Sequence, residues 1–402
     1  MKSRTLISIA MTLCASLVSL PISLASTTLY VNGASGSDTN NCMSVQTTCK
    51  TIGYAISVAS SGDSIIVAAA TYTEHLAIGF SLNLIGSGAS TTIIDGGYAN
   101  SVVTISSASA DVGISNVTIT HGNAGVGAGI NNNGTLTINS STISQNRASR
   151  TCFGGNCSGY GGGIANAGTG TLTINNSTIS GNLASGTCSR PIFQAYQCSS
   201  VRNGRGISIS GKLTMNNSTI SGNGVGATCL YLYRWPLHCA PVGGGIASIG
   251  PVAINNSTIS GNSTYAQCGM GNQCRADVGG LYNFVALYAA TIQNSIVSGN
   301  VGGNCYVIKS DGYNLSSDGT CYFDNVGDLN NTDPKLGPLA NNGGPTETMA
   351  LSSGSPAIDM GNPSGCTDGL GHLLKTDQRG YPRPDKEDKI GCDMGAYERQ
   401  SD

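Results

Sequence analysis

The chain has 402 residues, a formal net charge of −2, 57 glycines and 15 cysteines, and only 10% of its residues are charged and 5% aromatic. Glycine is about twice as frequent, and charged residues less than half as frequent, as in an average protein. This composition excludes a coiled coil, and the low net charge argues against intrinsic disorder. We expect a soluble, mostly β protein, because no apolar run after the N-terminal segment is long enough to span a membrane.

Residues 1–25 are typical of a secretory signal peptide. Lys2 and Arg4 precede an apolar run that ends at Leu24, and the small residues Ser23 and Ala25 suit a signal peptidase site. We therefore expect a secreted or periplasmic protein that is cleaved near Ala25 and begins its fold at residue 26.

Fourteen of the 15 cysteines follow the signal peptide, and an even number in this context implies disulfides formed in an oxidising compartment. They fall into seven close sequential pairs, and local pairing is the simplest connectivity, although the spacing alone does not fix it. The pairs are Cys42/Cys49, Cys152/Cys157, Cys188/Cys198, Cys229/Cys239, Cys268/Cys274, Cys305/Cys321 and Cys366/Cys392. A zinc site is disfavoured because no Cys-x-x-Cys motif occurs, so we predict no metal or other cofactor.

Residues 50–60 have apolar side chains at helical spacing, which predicts a short helix. Residues 62–78 and 82–88 then have the pattern of the first strands. A solenoid needs such a cap, because an open first coil exposes its core and an unpaired strand edge.

One phrase recurs along the middle of the chain, each time after a glycine-rich turn. It appears as TLTINSSTISQN at 135–146, TLTINNSTISGN at 171–182, KLTMNNSTISGN at 212–223 and PVAINNSTISGN at 251–262, with ATIQNSIVSGN at 290–300. Polar and apolar residues alternate in it with period two, which predicts short strands. Identical strands at a fixed repeat stack most simply in parallel and in register. We therefore expect two or three strands in each coil and about ten coils, or ~48 Å at ~4.8 Å per coil.

The register predicts ladders of inward apolar residues and of structural asparagines. The apolar positions are Leu136, Ile138 and Ile143; Leu172, Ile174 and Ile179; and Val252, Ile254 and Ile259. Asn175, Asn216 and Asn255 recur at one turn position, where stacked amides bond to each other. The repeated Asn-x-Ser/Thr sequons are thus interpreted as copies of a structural turn rather than as glycosylation sites.

The helix followed by GDSIIVAAATYTE and LNLIGSGASTTIIDGG resembles the start of the pectin-lyase-like right-handed parallel β-helix superfamily. The stretch DPKLGPLANNGGPTETMALSSGSPAIDMG at 333–361, with TDQRGYPRP at 376–384 and GCDMGAYE at 391–398, resembles the choice-of-anchor Q domain of secreted bacterial β-helix proteins. This resemblance implies that residues 26–300 form an all-β parallel β-helix with a short N-terminal capping helix. It also implies that residues 301–402 form a C-terminal region that continues or caps the β-helix. The chain ends four residues after Glu398, which favours a released or periplasmic protein over an anchored one.

The cysteine pairs of the repeat lie in insertions at one corner of the coil, at 151–160, 187–203, 228–242 and 268–277. Stacked insertions form a wall, and a wall beside a flat sheet makes a groove. Residues 124–300 carry a net charge of +7, against −4 for residues 26–123 and −7 for residues 301–402. Arginine and aromatic residues in these insertions suit an anionic or sugar polymer. The candidate ligand-binding residues are Tyr160, Tyr196, Arg205, Tyr231, Tyr233, Arg234, Trp235 and His238.

Catalysis is disfavoured, because residues 124–300 contain a single acid, Asp277, and glycoside hydrolysis normally needs two carboxylates. A cluster near the N-terminal coils is the alternative, and its members would be Glu74, His75, Asp95, Asp111 and His121. Calcium binding by Asp318, Asp324, Asp328 and Asp333 is possible, but aspartate is common in turns, so we do not predict it.

The favoured function is therefore non-catalytic binding or adhesion to an extracellular polysaccharide or cell-surface glycan, anionic in view of the arginines. The alternatives are a polysaccharide lyase or hydrolase and a structural or ice-binding solenoid with a threonine array at Thr135, Thr137, Thr171 and Thr173. We expect a monomer that binds no nucleic acid, since no such motif occurs.

Overall fold

The computed structural model describes residues 26–153, 160–189, 204, 206–230, 238–239, 241–268, 273–274, 277–285, 290–386 and 391–401. Within these residues the chain is almost entirely β and forms a right-handed parallel β-helix, as predicted. The expected signal peptide lies outside the described residues. No helix in the described ranges is long and apolar enough to cross a membrane.

The coils stack their strands into four parallel sheets, named A to D in the order in which one coil visits them. Sheet A contains Thr28–Val31, Ser64–Val67, Leu82–Gly86, Asp111–Ser115, Thr135–Asn139, Thr171–Asn175, Lys212–Asn216, Val252–Asn255, Ala290–Gln293 and Lys309–Ser310. Sheet B contains Ala70–Thr73, Thr92–Asp95, Thr118–Thr120, Thr142–Ser144, Thr178–Ser180, Thr219–Ser221, Thr258–Ser260, Ile296–Ser298 and Leu315–Ser316. Sheet C contains Asn123–Ala124, Arg147–Phe153, Leu183–Ser189, Gly224–Leu230 and Ser263–Cys268. Sheet D contains Leu76–Ile78, Val103–Ile105, Ile130–Asn132, Ile164–Asn166, Ile207–Ile209, Ile246–Ser248, Leu281–Asn283 and Cys305–Tyr306.

Two small sheets accompany these four. His238–Cys239 pairs in parallel with Gln273–Cys274, and Leu336–Ala340 pairs antiparallel with Thr348–Leu351. Sheet C was not predicted. The residues at the start of the expected insertions 151–160 and 187–203 were assigned to loops, whereas in the structure they belong to strands of sheet C. The coil therefore has four strands where the chain visits all four sheets, rather than two or three.

The core consists of apolar residues that repeat at the same position in successive coils. Leu136 is in register with Leu172 and Ile138 with Ile174 in sheet A, and Ile143 is in register with Ile179 in sheet B. All the apolar residues predicted to point inward are at most 2% exposed. Burying a side chain of this size contributes about 1.5–3 kcal/mol, so the ladder stabilises each coil against the next.

Two asparagine ladders run along the corners beside sheet B. In the outer ladder, Asn175 donates to Asn139 at 2.9 Å, Asn216 to Asn175 at 3.0 Å and Asn255 to Asn216 at 3.0 Å. The structural role predicted for these asparagines is confirmed. The following residues Asn217 and Asn256 are buried, which agrees with a turn motif rather than a glycan acceptor.

The inner ladder, which was not predicted, starts from the last residue of each TIS-GN phrase. Asn182 donates to Asn223 at 3.0 Å, and Asn223 donates to Asn262 at 2.9 Å. Asn182, Asn223 and Asn262 are fully buried. Because each amide also bonds to backbone carbonyls, this ladder satisfies the polar groups of a corner that water does not reach.

The N-terminal helix spans Ile52–Val58, and Ile52, Ala55 and Ile56 bury its inner face, which confirms the predicted cap. The Glu74 carboxylate accepts hydrogen bonds from the amides of Ile52 at 2.9 Å and Gly53 at 2.7 Å at the start of this helix. The expectation that the first strands follow the helix was wrong. Thr28–Val31 precedes the helix and pairs with Ser64–Val67, and its four residues are too few to show a clear period.

Residues 333–386 and 391–401, called the C-terminal strap below, fold back along the outer face of sheet B. Thr178 Oγ1 donates to the Glu347 carbonyl at 2.6 Å, and Thr219 Oγ1 donates to Gln378 Oε1 at 2.7 Å. Thr258 Oγ1 accepts a hydrogen bond from the Ala396 amide at 3.1 Å. The strap therefore buries the outward threonine at one strand position of sheet B in three successive coils. Residues 305–316, which precede the strap, still add strands to sheets D, A and B.

The strap is held together by a buried group of charged side chains. Arg383 Nε lies 2.8 Å from Glu398 Oε2, and both side chains are fully buried; Arg379 pairs with Asp377 at 2.8 Å. Burial, followed by repulsion from Glu398, raises the pKa of Asp393 to about 7. Burial also raises the pKa of Glu398, although Arg383 opposes this. Arg383 and Arg379 offset part of the negative charge of the buried acids Glu398 and Asp377.

Candidate functional site

The outer face of sheet D has small side chains in the middle of the rod and aromatic ones near its C-terminal end. The register places one outward residue from each coil in a single row, called the floor below. From the N-terminal coil onward, the floor consists of Ala77, Thr104, Asn131, Ala165, Ser208, Ala247, Tyr282 and Tyr306. Eight coils at ~4.8 Å make this row ~34 Å long.

A groove runs over the small residues of the floor. A cavity of about 320 Å³ is lined by Ala165, Ser208 and Ala247 at its base. Val126 and Tyr160 line it on the side of the insertions that follow sheet C, and Ala167, Ser210, Ile249 and Phe284 line it on the side of the turns that lead into sheet A. A cavity therefore lies on sheet D, beside the start of the insertions, but most residues of the insertions that were predicted to wall a groove lie outside the described ranges, so that part stays a prediction.

The glycine before each floor strand lets successive coils approach each other closely. A Cβ at Gly163 would lie 2.6 Å from the Gly206 carbonyl oxygen, and one at Gly206 would lie 2.6 Å from that of Gly245. Successive coils would clash at these positions if they carried side chains. This explains why a glycine directly precedes each apolar strand residue in the GAGI, GGGI, GRGI and VGGL motifs.

Three aromatic side chains stand at the C-terminal end of the groove. The Tyr282 and Tyr306 rings are stacked, with centroids 4.6 Å apart and an interplanar angle of 13°. The Phe284 ring lies 4.5 Å from that of Tyr282 at an angle of 59°. Sequence reasoning missed these residues because it searched the insertions, whereas Tyr282 and Tyr306 lie on sheet D itself.

A second cavity of about 400 Å³ lies at the N-terminal end of the floor, beside the capping helix. Ala77, Phe80 and His75 line it together with helix residues. His75 Nδ1 lies 3.0 Å from the Ser101 carbonyl oxygen. The floor thus has an accessible depression at each of two places along its length.

Most of the candidate ligand-binding residues lie outside the described part of the chain. Tyr160 is described and lines the cavity, and the ligand-binding role suggested for it stays a prediction. His238 belongs to the strand pair His238–Cys239 with Gln273–Cys274, but its side chain is outside the description. The remaining residues fall outside the described ranges and stay predictions: Tyr196, Arg205, Tyr231, Tyr233, Arg234 and Trp235.

Three of the seven predicted disulfides are present in the described residues: Cys42–Cys49, Cys305–Cys321 and Cys366–Cys392. The other four pairs stay predictions, because each includes a residue or a side chain outside the description: Cys152/Cys157, Cys188/Cys198, Cys229/Cys239 and Cys268/Cys274. Cys157 and Cys198 lie wholly outside the described ranges, so the pairings predicted for them are not tested.

The backbone register of the repeat cysteines is nevertheless informative. Sheet C places the first cysteine of each of these four pairs at one position of successive strands: Cys152, Cys188, Cys229 and Cys268. The cysteine that begins each insertion therefore lies at the same corner of every coil, as the repeat predicted.

The alternative catalytic cluster near the N-terminal coils forms only in part. His121 Nδ1 lies 3.0 Å from Asp95 Oδ2, and the Tyr98 ring lies 4.5 Å from the His121 ring. Burial alone would raise the pKa of Asp95, but hydrogen bonds from His121 and the Gly97 amide lower it. This pair lies at the corner between sheets B and C, and Glu74 and His75 make the separate contacts given above. The Asp111 amide bonds to Ser81 Oγ.

The four aspartates considered for calcium include three that accept hydrogen bonds in local turns. Asp318 Oδ1 accepts from Thr320, Asp328 from the amides of Asn314 and Asn325, and Asp333 from the Lys335 amide. No group of three or more acidic, histidine or cysteine side chains within the described ranges is arranged to hold a metal ion.

The threonine array considered for ice binding is in register on sheet A, where Thr135 pairs with Thr171 and Thr137 with Thr173. The C-terminal strap reaches this face at Gly369, where an added Cβ would lie 3.1 Å from Asn255 Nδ2 and 3.7 Å from Thr214 Cγ2. The array is therefore confined to a few coils.

No protein-family model and no curated protein matches this chain. Among solved structures, pectate lyase Pel9A aligns with 94% of this chain and 98% of its own, at 13% identity and a TM-score of 0.43. A pectin methylesterase from Aspergillus niger aligns with 77% of this chain and 86% of its own, at 15% identity and a TM-score of 0.35. At these TM-scores the likenesses carry no argument about activity or ligand.

Proposed function

We propose that the protein binds an extracellular polysaccharide along the groove on sheet D without cleaving it. The observation that carries this proposal is the floor: a straight row of small residues, walled on both sides, that ends in stacked aromatic rings. A linear polymer suits a straight site that repeats every coil. Aromatic rings supply large apolar contact surfaces, and tyrosine hydroxyls add hydrogen bonds, which together suit a sugar chain.

Binding without catalysis is favoured by the chemistry of the described groove. The residues around the 320 Å³ cavity are apolar, aromatic, serine or asparagine. General acid–base catalysis needs an ionisable group within hydrogen-bond reach of the substrate, and hydrolysis of a glycoside normally needs two carboxylates. His75 lies at the other end of the floor, and Asp95 and His121 lie at a different corner of the coil.

Secretion and the choice-of-anchor Q character of residues 301–402 remain part of this proposal. Three disulfides in the described residues support it, because such bonds persist in oxidising compartments. Sequencing the N-terminus of the protein exported by its host tests it. A mature chain that begins near Ser26 supports secretion, and an intact N-terminus in the cytoplasm contradicts it.

The binding proposal is tested by filling the groove. We expect Ser208→Trp to lower affinity at least tenfold for any polysaccharide that the native chain retains in affinity electrophoresis. Thr173→Trp on the outer face of sheet A is the matched control and leaves binding unchanged. Failure of a broad polysaccharide panel to bind, or equal binding by Ser208→Trp, overturns the proposal. The appearance of new reducing ends or unsaturated uronate in the same mixtures would instead favour the lyase or hydrolase alternative.

A further inference from the structure

The cavity beside the capping helix, called the N-terminal cavity below, lies on the same row of outward residues as the 320 Å³ cavity. Ala77, which lines it, is in register with Thr104 of the next coil. Thr104 is in register with Asn131, and Asn131 with Ala165 at the base of the 320 Å³ cavity. Three coils at ~4.8 Å separate the two cavities by ~14 Å. They are therefore two depressions of one straight surface.

One wall also connects the two cavities. Tyr160 and Val126, which line the 320 Å³ cavity, are joined by a parallel bridge. One coil nearer the N-terminus, Ser101 Oγ donates to the Val126 carbonyl oxygen at 3.3 Å. His75 Nδ1 lies 3.0 Å from the Ser101 carbonyl oxygen, and its side chain lines the N-terminal cavity. Four successive coils therefore each contribute one residue to a wall that passes both cavities.

The contact with Ser101 fixes which nitrogen of the exposed His75 ring is available to a ligand. A carbonyl oxygen only accepts hydrogen bonds, so Nδ1 carries the hydrogen, and Nε2 of the neutral ring accepts one from a ligand. Phe80, in the turn that leads into sheet A, lines the same cavity and is partly buried against the core. A ring surface packs against the C–H groups of a sugar, while Nε2 bonds to one of its hydroxyl groups.

We infer that the N-terminal cavity is a second sugar subsite of the floor, so that the ligand is a linear chain long enough to occupy both cavities. This inference rests on the proposed function and specifies the length of polymer that the groove takes. A short oligosaccharide fills one cavity, whereas a longer one contacts both and loses its rigid-body freedom only once. Affinity therefore rises with chain length at least until both cavities are occupied.

The test measures affinity against chain length by calorimetric titration of the full-length protein. The probes are graded series of cello-oligosaccharides, manno-oligosaccharides and oligogalacturonates, and the series that binds is carried forward. We expect affinity to rise at least about tenfold between oligosaccharides too short to bridge the ~14 Å and those that bridge it. Ala77→Trp, which fills the N-terminal cavity, should remove this gain and leave the affinity of the short oligosaccharides unchanged. Thr173→Trp on sheet A is the control and retains the gain.

His75→Ala tests the polar contact separately. It should lower the affinity of the longest oligosaccharide about fivefold, because one hydrogen bond is lost, and should leave the shortest unaffected. The matched control is His372→Ala, since His372 is exposed on the strap and lies 3.0 Å from Asp368 Oδ2. Unchanged thermal unfolding of the variants shows that their loss of binding is local.

Three results would overturn this inference: affinity that does not depend on chain length, a length gain that survives Ala77→Trp, and full affinity in His75→Ala. If Ser208→Trp still abolishes binding in these cases, the proposed function stands with the 320 Å³ cavity as its site. Absence of binding by all three series also overturns the inference. Absence of binding to the whole polysaccharide panel overturns the proposed function as well.

Discussion

The outer faces of sheets B and D differ in their contacts, although the same coils form both sheets. On sheet B, Thr178 and Thr219 are fully buried because the C-terminal strap bonds to their hydroxyls. On sheet D, the corresponding coils carry Ala165 and Ser208, which line a cavity instead of contacting the strap. The difference shows that one repeat can support both a closed seam and an open cavity.

The contrast follows from the outward residue of each short strand. Threonine supplies a hydroxyl that holds a returning segment of chain, and it occurs at this position in four successive coils of sheet B, from Thr142 to Thr258. Alanine and serine are too small to reach across to a partner, so on sheet D the neighbouring turns stand higher than the floor. Side-chain size on one side and hydrogen bonding on the other thus divide the surface into an open face, which we propose binds the ligand, and a face that the strap covers.

Breaking the strap should have the largest effect on stability. Arg383→Met removes the guanidinium that donates to Glu398 Oε2 at 2.8 Å and leaves buried acids uncompensated. We expect the free energy of unfolding to fall by about 3–5 kcal/mol in urea titrations. Lys309→Met is the control, since the Lys309–Asp311 pair is exposed and should contribute less than about 1 kcal/mol. A loss as small as that of the control would show that the strap contributes little to stability.

The strap should also make stability depend on pH near neutrality. The pKa of Asp393 is raised to about 7 and that of Glu398 is also raised, so the folded state binds more protons than the unfolded chain between the ordinary carboxyl pKa and about 7. The stabilisation is therefore fully present only below the ordinary carboxyl pKa, declines as the pH rises towards about 7 and is lost above that pH, with a slope of at most ~1.4 kcal/mol per pH unit for one group.

Urea midpoints measured from about pH 5 to pH 8 test whether stability falls as the pH rises, as the linkage of protonation to folding requires. Asp393→Asn should flatten the decline, whereas Asp333→Asn at an exposed turn should leave it unchanged. Stability that instead rises over this interval for the native chain would contradict the assignment of the raised pKa to the strap.

The smallest effects are expected when one hydroxyl is removed from each of the two faces, which compares the faces directly. Thr219→Val leaves Gln378 Oε1 without the bond it accepts at 2.7 Å, which should cost about 1–2 kcal/mol. Ser208→Ala in the groove should change stability by less than about 0.5 kcal/mol. Calorimetric unfolding of both variants checks the difference, and equal losses would mean that sheet D is packed as tightly as sheet B.

Repetition made much of the fold predictable. Leu172, Ile174 and Ile179 align with their counterparts only in a parallel, in-register stack, and the helix after Thr51 followed from its apolar spacing. Sheet C was missed because its strands merge into insertions of irregular composition. The strap was missed because its contacts, such as Thr178 with Glu347, join residues 169 positions apart and leave no local pattern.

The candidate site was predictable only in outline. The insertions indicated a groove with Tyr160 as a binding residue; Tyr160 lines a cavity on sheet D, and its role in binding stays a prediction. The floor was not recognised from the sequence. Small residues such as Ala165 and Ala247 form the base of the cavity because their side chains leave space above the sheet, and no sequence pattern indicates such a space. Tyr282 and Tyr306 appear as ordinary strand residues until the register stacks them on consecutive coils.

The central proposal, that the face on sheet D binds the ligand, is tested most directly by a crystal structure with a bound oligosaccharide derived from the polysaccharide that binds best. We predict sugar rings that follow the floor between Ser208 and Tyr306, with the sugar chain parallel to the axis of the β-helix. Sugar seated on sheet A, on the strap, or across the rod away from the floor would contradict it.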